Sequence, residues 1–315
     1  MAKNSLTAIG IDLGGSHLTA ALVNPNGQIK HKKTASYLKA PNGPHGTQLM
    51  VKLVRELLHH SSSEICGVGI ACPGSVDFNK GIVLADSPNL IGWKGTRLRQ
   101  DLESSVKLPV LIDNDANLAA WGEKYWGAGK KAENFICLTL GTGVGGGIII
   151  NNQIYRGSHY YAGEIGHMKI NTFIEGSPKC SCGSYGCLEA LISAPAIARD
   201  FARLKGIRLS HSITAKTVFD AAKRGDSAAR QIVQQTAYYL GNAISSLINI
   251  FDPDIVIIGG GIAKAGPILF NPAQRIINNN SMPHPLRKPA IVPAKLGENA
   301  GLLGAAALVF SDLKK

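Results

Sequence analysis

No run of about 18 apolar residues occurs in the 315-residue chain, so a membrane-spanning helix is not expected. No secretory leader is recognisable either. Met1 to Leu6 is short and polar, and the first apolar stretch is broken at once by Asp12, Gly14 and Gly15, which makes the cytoplasm the expected compartment. The 36 glycines neither recur at every third position nor form a low-complexity tract. That excludes a collagen-like chain and assigns them to turns and ligand loops. Acidic residues are outnumbered 21 to 33, for a formal charge of +12. Such an excess suits nucleic acid, a membrane surface or a nucleotide. The basic residues are scattered, however, and the short cluster Lys30-His31-Lys32-Lys33 has no interleaved aromatics. The expectation is therefore no nucleic-acid or membrane partner, with a basic surface that helps to attract a small anionic ligand.

A length of 315 residues exceeds the usual size of a single core, so two α/β domains are expected. Apolar runs bounded by glycine or proline predict strands at residues 7–12, 17–23, 28–36, 65–71 and 108–112. Leucine spacing predicts a helix over about 45–60, and another runs from Asp115 to Trp126. Gly127 to Lys130 is the expected boundary. A second strand set follows at 135–140, 146–150 and 153–156, then a long helix at about 226–250 and a buried strand at 254–258. Each half thus opens with strand, glycine turn, strand: Ile9 to Ser16 parallels Leu138 to Gly145. This weak repeat suggests a duplicated domain with a ligand between the halves. The domains are expected at 1–126 and 127–299, with a small-residue helix at about 300–315 crossing back to the first.

Three glycine turns carry the ligand argument. In Asp12-Leu13-Gly14-Gly15-Ser16, backbone N–H groups can approach phosphate oxygens, Ser16 can add a hydroxyl, and Asp12 can hold Mg²⁺. An ordinary glycine hairpin would use the same residues. This is no Walker A motif, because Gly-Lys-Ser/Thr is lacking, and no dinucleotide fingerprint, because a strand rather than a helix follows. The second turn, Gly141-Thr142-Gly143-Val144-Gly145-Gly146-Gly147, has five glycines in seven residues. Close approach to a polyphosphate explains them better than packing, given the ordering entropy of each. Gly260 and Gly261, after a buried strand, suit the adenosine end of a nucleotide or simply form a loop.

Asp113-Asn114-Asp115-Ala116-Asn117 lies at a strand-to-helix junction. Helix capping accounts for one such residue. The excess points to a carboxylate that accepts the proton of an attacking hydroxyl, with an adjacent amide fixing a sugar. Cys66, Cys72 and Cys137 sit in apolar stretches and read as small buried hydrophobes. Cys180, Cys182 and Cys187 crowd together after His167, which predicts metal binding rather than disulfides. Three thiolates and an imidazole make a closed tetrahedral zinc site, structural because no position stays open. Glu164 and Glu189, beside those ligands, become acceptors for sugar hydroxyls.

Taken in order, DLGGS, CPG, NDAN, GTGVGGG, GEIGH, CSCGSYGCLE and IIGGG resemble the ROK family of sugar kinases and sugar-responsive repressors, from about Ile9 to about Ala307. The resemblance implies a two-domain actin-like ATPase fold, related to ribonuclease H, often as a homodimer. It implies that Asp12, Gly14, Gly15, Ser16, Gly141, Thr142, Gly143 and Gly145 hold ATP phosphates with Mg²⁺, and that Asp115 is the catalytic base. It makes Asn89, Asn114, Glu164, His167 and Glu189 sugar contacts, with Gly74 of the CPG motif beside them, and His167, Cys180, Cys182 and Cys187 the Zn²⁺ ligands. Ser16 stands where the family usually has threonine, and the hydroxyl survives. The family's repressors carry a DNA-binding domain ahead of the kinase-like part, and a first turn starting at Asp12 leaves no room for one. Ser87 to Trp93 looks like the family's glucokinases, so glucose is the expected hexose. The insert Met168 to Lys179 also resembles kinases of N-acetylglucosamine. Fructose and N-acetylmannosamine follow as alternatives.

Overall fold

The computed structural model describes residues 6–37, 41–87, 90–171, 177–283 and 290–313. The first half runs β1 (Leu6–Leu13), β2 (His17–Val23), β3 (Ile29–Ser36), α1 (Gly43–His60), β4 (Glu64–Cys72), β5 (Val76–Asp77), β6 (Ile82–Val83), α2 (Leu98–Val106), β7 (Val110–Asn114) and α3 (Asp115–Trp126). The second runs β8 (Phe135–Leu140), β9 (Val144–Ile150), β10 (Gln153–Ile154), α4 (Leu188–Ile192), α5 (Ala194–Lys205), α6 (Ala215–Lys223), α7 (Ser227–Phe251), β11 (Ile255–Gly259), α8 (Pro267–Asn280), β12 (Ile291–Pro293) and α9 (Ala300–Asp312).

Among the described residues these strands form two five-stranded sheets, ordered β3-β2-β1-β4-β7 and β10-β9-β8-β11-β12, and a separate β5-β6 pair. In each, the first three strands make an antiparallel meander and the last two add in parallel. The repeat read from two glycine turns is therefore a repeat of whole sheets. The apolar alternation explains the burial: Ile9, Ile11 and Leu13 of β1 are fully covered, as are Leu138 and Leu140 of β8.

Helix α9 leaves the second sheet's last strand and packs on β1 and β4 of the first. Gly10 of β1 and Gly69 of β4 allow this: a Cβ on either would drive into the backbone of α9, at Leu302 and at Ala305 respectively. Helix α3 packs against α9 on one side and β9 on the other, so it touches both halves. Near its end, Glu123 is fully buried and ties together the two chain crossings between halves. One carboxylate oxygen accepts the N–H groups of Lys295 and Leu296, at 2.9 and 2.8 Å, and the other accepts that of Ala128 at 2.6 Å. A buried carboxylate without a cation persists only when hydrogen-bonded in this way.

Candidate active site

The site assembles at the carboxyl ends of the first sheet's parallel strands. Asp12 pairs with Ala71, which pairs with Asp113, and Cys72 pairs with Asn114. The register therefore brings Asp12, the Pro73-Gly74 turn and Asp115 to one edge. The polar cluster divides its work. Asn114 caps α3: its Oδ1 accepts the N–H groups of Ala116 and Asn117, at 2.9 and 3.1 Å, and its Nδ2 donates to Gly74 O at 3.0 Å. The cap being filled by Asn114, Asp115 is left with its Oδ1 accepting Ala116 N–H at 2.8 Å.

Burial raises the Asp115 carboxyl to about 7, and the charges of Asp12 and Glu164 push the same way. Asp12 rises to about 6, again mainly by burial, with His17 and Lys32 opposing. A carboxylate poised near neutral pH is suited to accept a proton during a reaction. Asp12 offers a hard oxygen, as a divalent cation such as Mg²⁺ prefers. The turn beside it is closed by Gly14 N–H donating to His17 O at 2.9 Å, and the Tyr37 hydroxyl donates to Gly14 O. Gly15 and Ser16 stand exposed at its tip.

The second turn corrects one expectation. Packing does explain Gly145, Gly146 and Gly147, which lie in β9 rather than in the turn. A Cβ on Gly145 or Gly147 would press on Ala116 of α3, and one on Gly146 on Gly163 and Ile165. What remains for a ligand is Gly141, with open space above it, exposed Thr142, and Gly143. Gly260 packs on Leu140 with φ of +82°, so the third turn lies against the second, and Gly261 is open. Gly261 begins a 3-10 turn, Gly261–Ala265, rather than a full helix.

His167, Cys180, Cys182 and Cys187 converge, with one ligand atom of each within 4.8 Å of the others. Cys182 and Cys187 Sγ are 3.7 Å apart, and Cys180 Sγ lies 3.5 Å from His167 Nδ1. A tetrahedron with arms of about 2.0–2.3 Å has edges of roughly 3.3–3.8 Å, so these two spacings fit a zinc ion. Two positive-φ glycines, Gly183 and Gly186, fold the chain around it. Glu189 joins this knuckle to the second glycine turn. Its Oε1 accepts the Ser181 hydroxyl at 2.6 Å and its Oε2 accepts Val144 N–H at 3.1 Å. Glu164 lies 3.8 Å from His167 Nε2, and burial, with the charge of Glu189, raises its carboxyl above the usual range against the opposing pull of His167. Asn89 lies outside the described residues.

One element escaped the motif reading. Arg156 follows β10, and its Nε and Nη2 both reach Asp113 Oδ2 at 2.7 Å. Its guanidinium lies 3.8 Å from the centroid of the Phe78 ring. Nothing local in Tyr155-Arg156-Gly157 announces a partner 43 residues earlier.

Two duplicated sheets with carboxylates at the strand ends of one and glycine turns in both define the two-domain actin-like ATPase fold. The chain belongs to the ROK family, whose model matches residues 8–312. It is 38% identical over 314 residues to the glucokinase of Halalkalibacterium halodurans, covering 96% of this chain and 94% of that one. The ROK family glucokinase of Streptomyces griseus, solved in complex with glucose and AMPPNP, superposes with a TM-score of 0.80 at 32% identity, covering 97% and 99%. The xylose repressor of Bacillus spizizenii is 31% identical over 327 residues, covering 99% of this chain and 80% of that protein.

Proposed function

We propose that the chain is an ATP-dependent hexose kinase that converts glucose to glucose 6-phosphate. The observation that carries this reading is Asp115, buried at the same sheet edge as Asp12 with its carboxyl raised to about 7. The 38% identity to a protein named glucokinase and the similarity to a kinase solved with glucose and AMPPNP supply the substrates.

In this mechanism Asp115 accepts the proton of the sugar 6-hydroxyl as its oxygen bonds to the γ-phosphorus. The bond from γ-phosphorus to the bridging oxygen breaks, and ADP leaves with that electron pair. Gly14, Gly15, Ser16, Gly141, Thr142 and Gly143 hold the phosphates, and Gly260 and Gly261 the adenosine. Asp12 would hold Mg²⁺, which would supply positive charge against the phosphates. Glu164, His167, Glu189, Asn114, Asn89 and the Gly74 turn orient the sugar. His167 with Cys180, Cys182 and Cys187 would hold a structural Zn²⁺; the convergence of their ligand atoms supports this. The domains divide at 126/127, with residues 300–315 returning to the first, and the contacts of α9 with β1 and β4 favour that division. Exposed Tyr238 and Ile250 of α7, with exposed Met282, support a homodimer. Among the described residues no helix is long and apolar enough to cross a membrane, which agrees with a cytoplasmic enzyme.

The test is ADP release at fixed ATP across glucose, N-acetylglucosamine, fructose and N-acetylmannosamine. Glucose is expected to give the highest kcat/KM. A preference for another of the four replaces the substrate and leaves the kinase. No turnover with any of them, together with sugar-dependent binding to DNA in a gel-shift assay, would favour the repressor function that the Bacillus spizizenii similarity raises.

A further inference from the structure

Arg156 and Glu164 stand at the two ends of one loop that follows β10 in the second sheet, while Asp113 and Asp115 stand at the end of β7 and the start of α3 in the first. The two segments are joined by a connected set of polar contacts. Arg156 Nε and Nη2 converge on Asp113 Oδ2 at 2.7 Å each. Asp113 Oδ1 accepts Asn114 N–H at 2.8 Å and Asn117 Nδ2 at 3.1 Å. The carboxylate, 2% exposed, is therefore fully engaged and has no room for a ligand. Arg156 also closes the base of its own loop, because its carbonyl accepts Ala162 N–H at 3.2 Å. At the loop's far end, the backbone of Gly163 packs on Gly146, and a Cβ there would lie 3.8 Å from Asn117 Oδ1, which has no hydrogen-bond partner among the described residues. On its other side the guanidinium is stacked on Phe78, just beyond β5 of the first half.

A charged, two-donor contact of this kind resists rotation and translation far better than a single hydrogen bond. We propose that Arg156 is a positioning residue for the sugar, fixing the loop that presents Glu164 against the junction that presents Asp115. The inference rests on the hexose-kinase reading and adds to it which residue sets the spacing of the two sugar-facing carboxylates. Arg156 itself touches neither sugar nor phosphate in this role. Its loss acts on the geometry of sugar capture, and the glycine turns that receive ATP, anchored elsewhere, keep theirs.

The experiment compares wild type, Arg156→Ala, Arg156→Lys, Asp113→Asn and the Arg156→Ala/Asp113→Asn pair. KM for glucose and for ATP, kcat, glucose-independent ATP hydrolysis, glucose affinity by titration calorimetry and melting temperature are measured. Misplacement by about 1 Å costs on the order of 10²-fold. Arg156→Ala should therefore raise KM and Kd for glucose ~10-fold or more, with KM for ATP and glucose-independent hydrolysis within ~2-fold. Arg156→Lys, which keeps the charge and loses the two-donor geometry, falls between. The double variant is no worse than the worse single one, as expected for one shared contact. The inference is overturned if glucose parameters stay within ~2-fold of wild type, or if glucose and ATP constants shift by the same factor. Should Arg156→Ala not fold, Arg156→Lys and Asp113→Asn carry the same comparison. A wild type that releases no ADP with any hexose removes the kinase reading instead, which keeps the two failures distinct.

Discussion

In the first sheet the position just before the last hairpin pair is Asp12, opposite Thr19; in the second it is Thr139, opposite Gly145. The strands that follow differ in the same sense. β4 and β7 lead into Gly74 and Asp115, whereas β11 and β12 lead into Gly260 and Ala294. Duplicate architecture thus carries unequal chemistry. The first sheet gathers two carboxylates in a sheltered place, where each disfavours the other's charge and both stay partly protonated near neutrality. The second sheet's own strands end without an acid: their turn is closed by Gly141 N–H donating to Gly143 O at 2.9 Å, and it leaves open space over Gly141 beside exposed Thr142.

The largest expected effect tests the first half of that contrast. Asp115→Asn should lower kcat by about 10²–10⁴-fold while glucose affinity in calorimetry stays within a few-fold. A variant with near-normal kcat would reduce Asp115 to a packing residue. Next comes the substitution that compares the sheets directly. Asp12→Asn should lower kcat by roughly 10²-fold and make turnover demand more Mg²⁺. Thr139→Ser, at the matching position, should leave kcat within about 3-fold, since no charge is lost there. Equal effects at the two positions would erase the distinction.

A smaller effect concerns what the second half has and the first lacks. Cys180→Ser or Cys187→Ser should lose bound zinc by elemental analysis and raise the glucose KM by on the order of 10-fold, with less change for ATP. Glu189 bridges the knuckle to the second turn, so its position depends on the ligands beside it. Full zinc retention in both variants would contradict the site.

The smallest effect is on stability. The raised carboxyls of Asp12 and Asp115 favour the folded state fully only below the ordinary carboxylate range near pH 4, and that contribution is lost as pH rises through about 6 and about 7. Asp115→Asn should therefore melt a few °C above wild type at pH 8 (about 2–4 °C per kcal/mol for a chain of this size), the gap shrinking toward pH 5. Turnover of the wild type runs the other way, falling below pH ~7 as the base is protonated. A gap that widens on acidification would assign the wrong sign to Asp115.

Much of this was legible because its signals are local. β-rich apolar runs broken by glycine mark β1, β2, β8 and β11, and the crowded cysteines mark the knuckle where His167 and three thiols converge. α2 was missed, since only Leu98, Leu102 and Val106 are buried in an otherwise polar run, and α8 carries Pro272 within it. The run of glycines at 145–147 misled because its cause, the nearness of α3 and of Gly163, lies outside the segment. Asn114 and Asp115 were both visible, but which of them caps the helix depends on the direction in which β7 arrives. The pairing of Arg156 with Asp113 has no local signature at all, since two sheets must meet before the two residues do.

The return of α9 to β1 and β4 also sets a timetable for the ribosome. The strands it covers leave the exit tunnel early, yet their lid is synthesised about 230–290 residues later, which at 5–20 residues per second is roughly 10–60 s. Through that interval the apolar faces of β1 and β4 that α9 will cover have no native partner. The second half, by contrast, has β8 to β12 complete before α9 is made. Vectorial synthesis thus favours the later half as the first to close, and the nascent earlier half is the segment on which a holding chaperone has most to do.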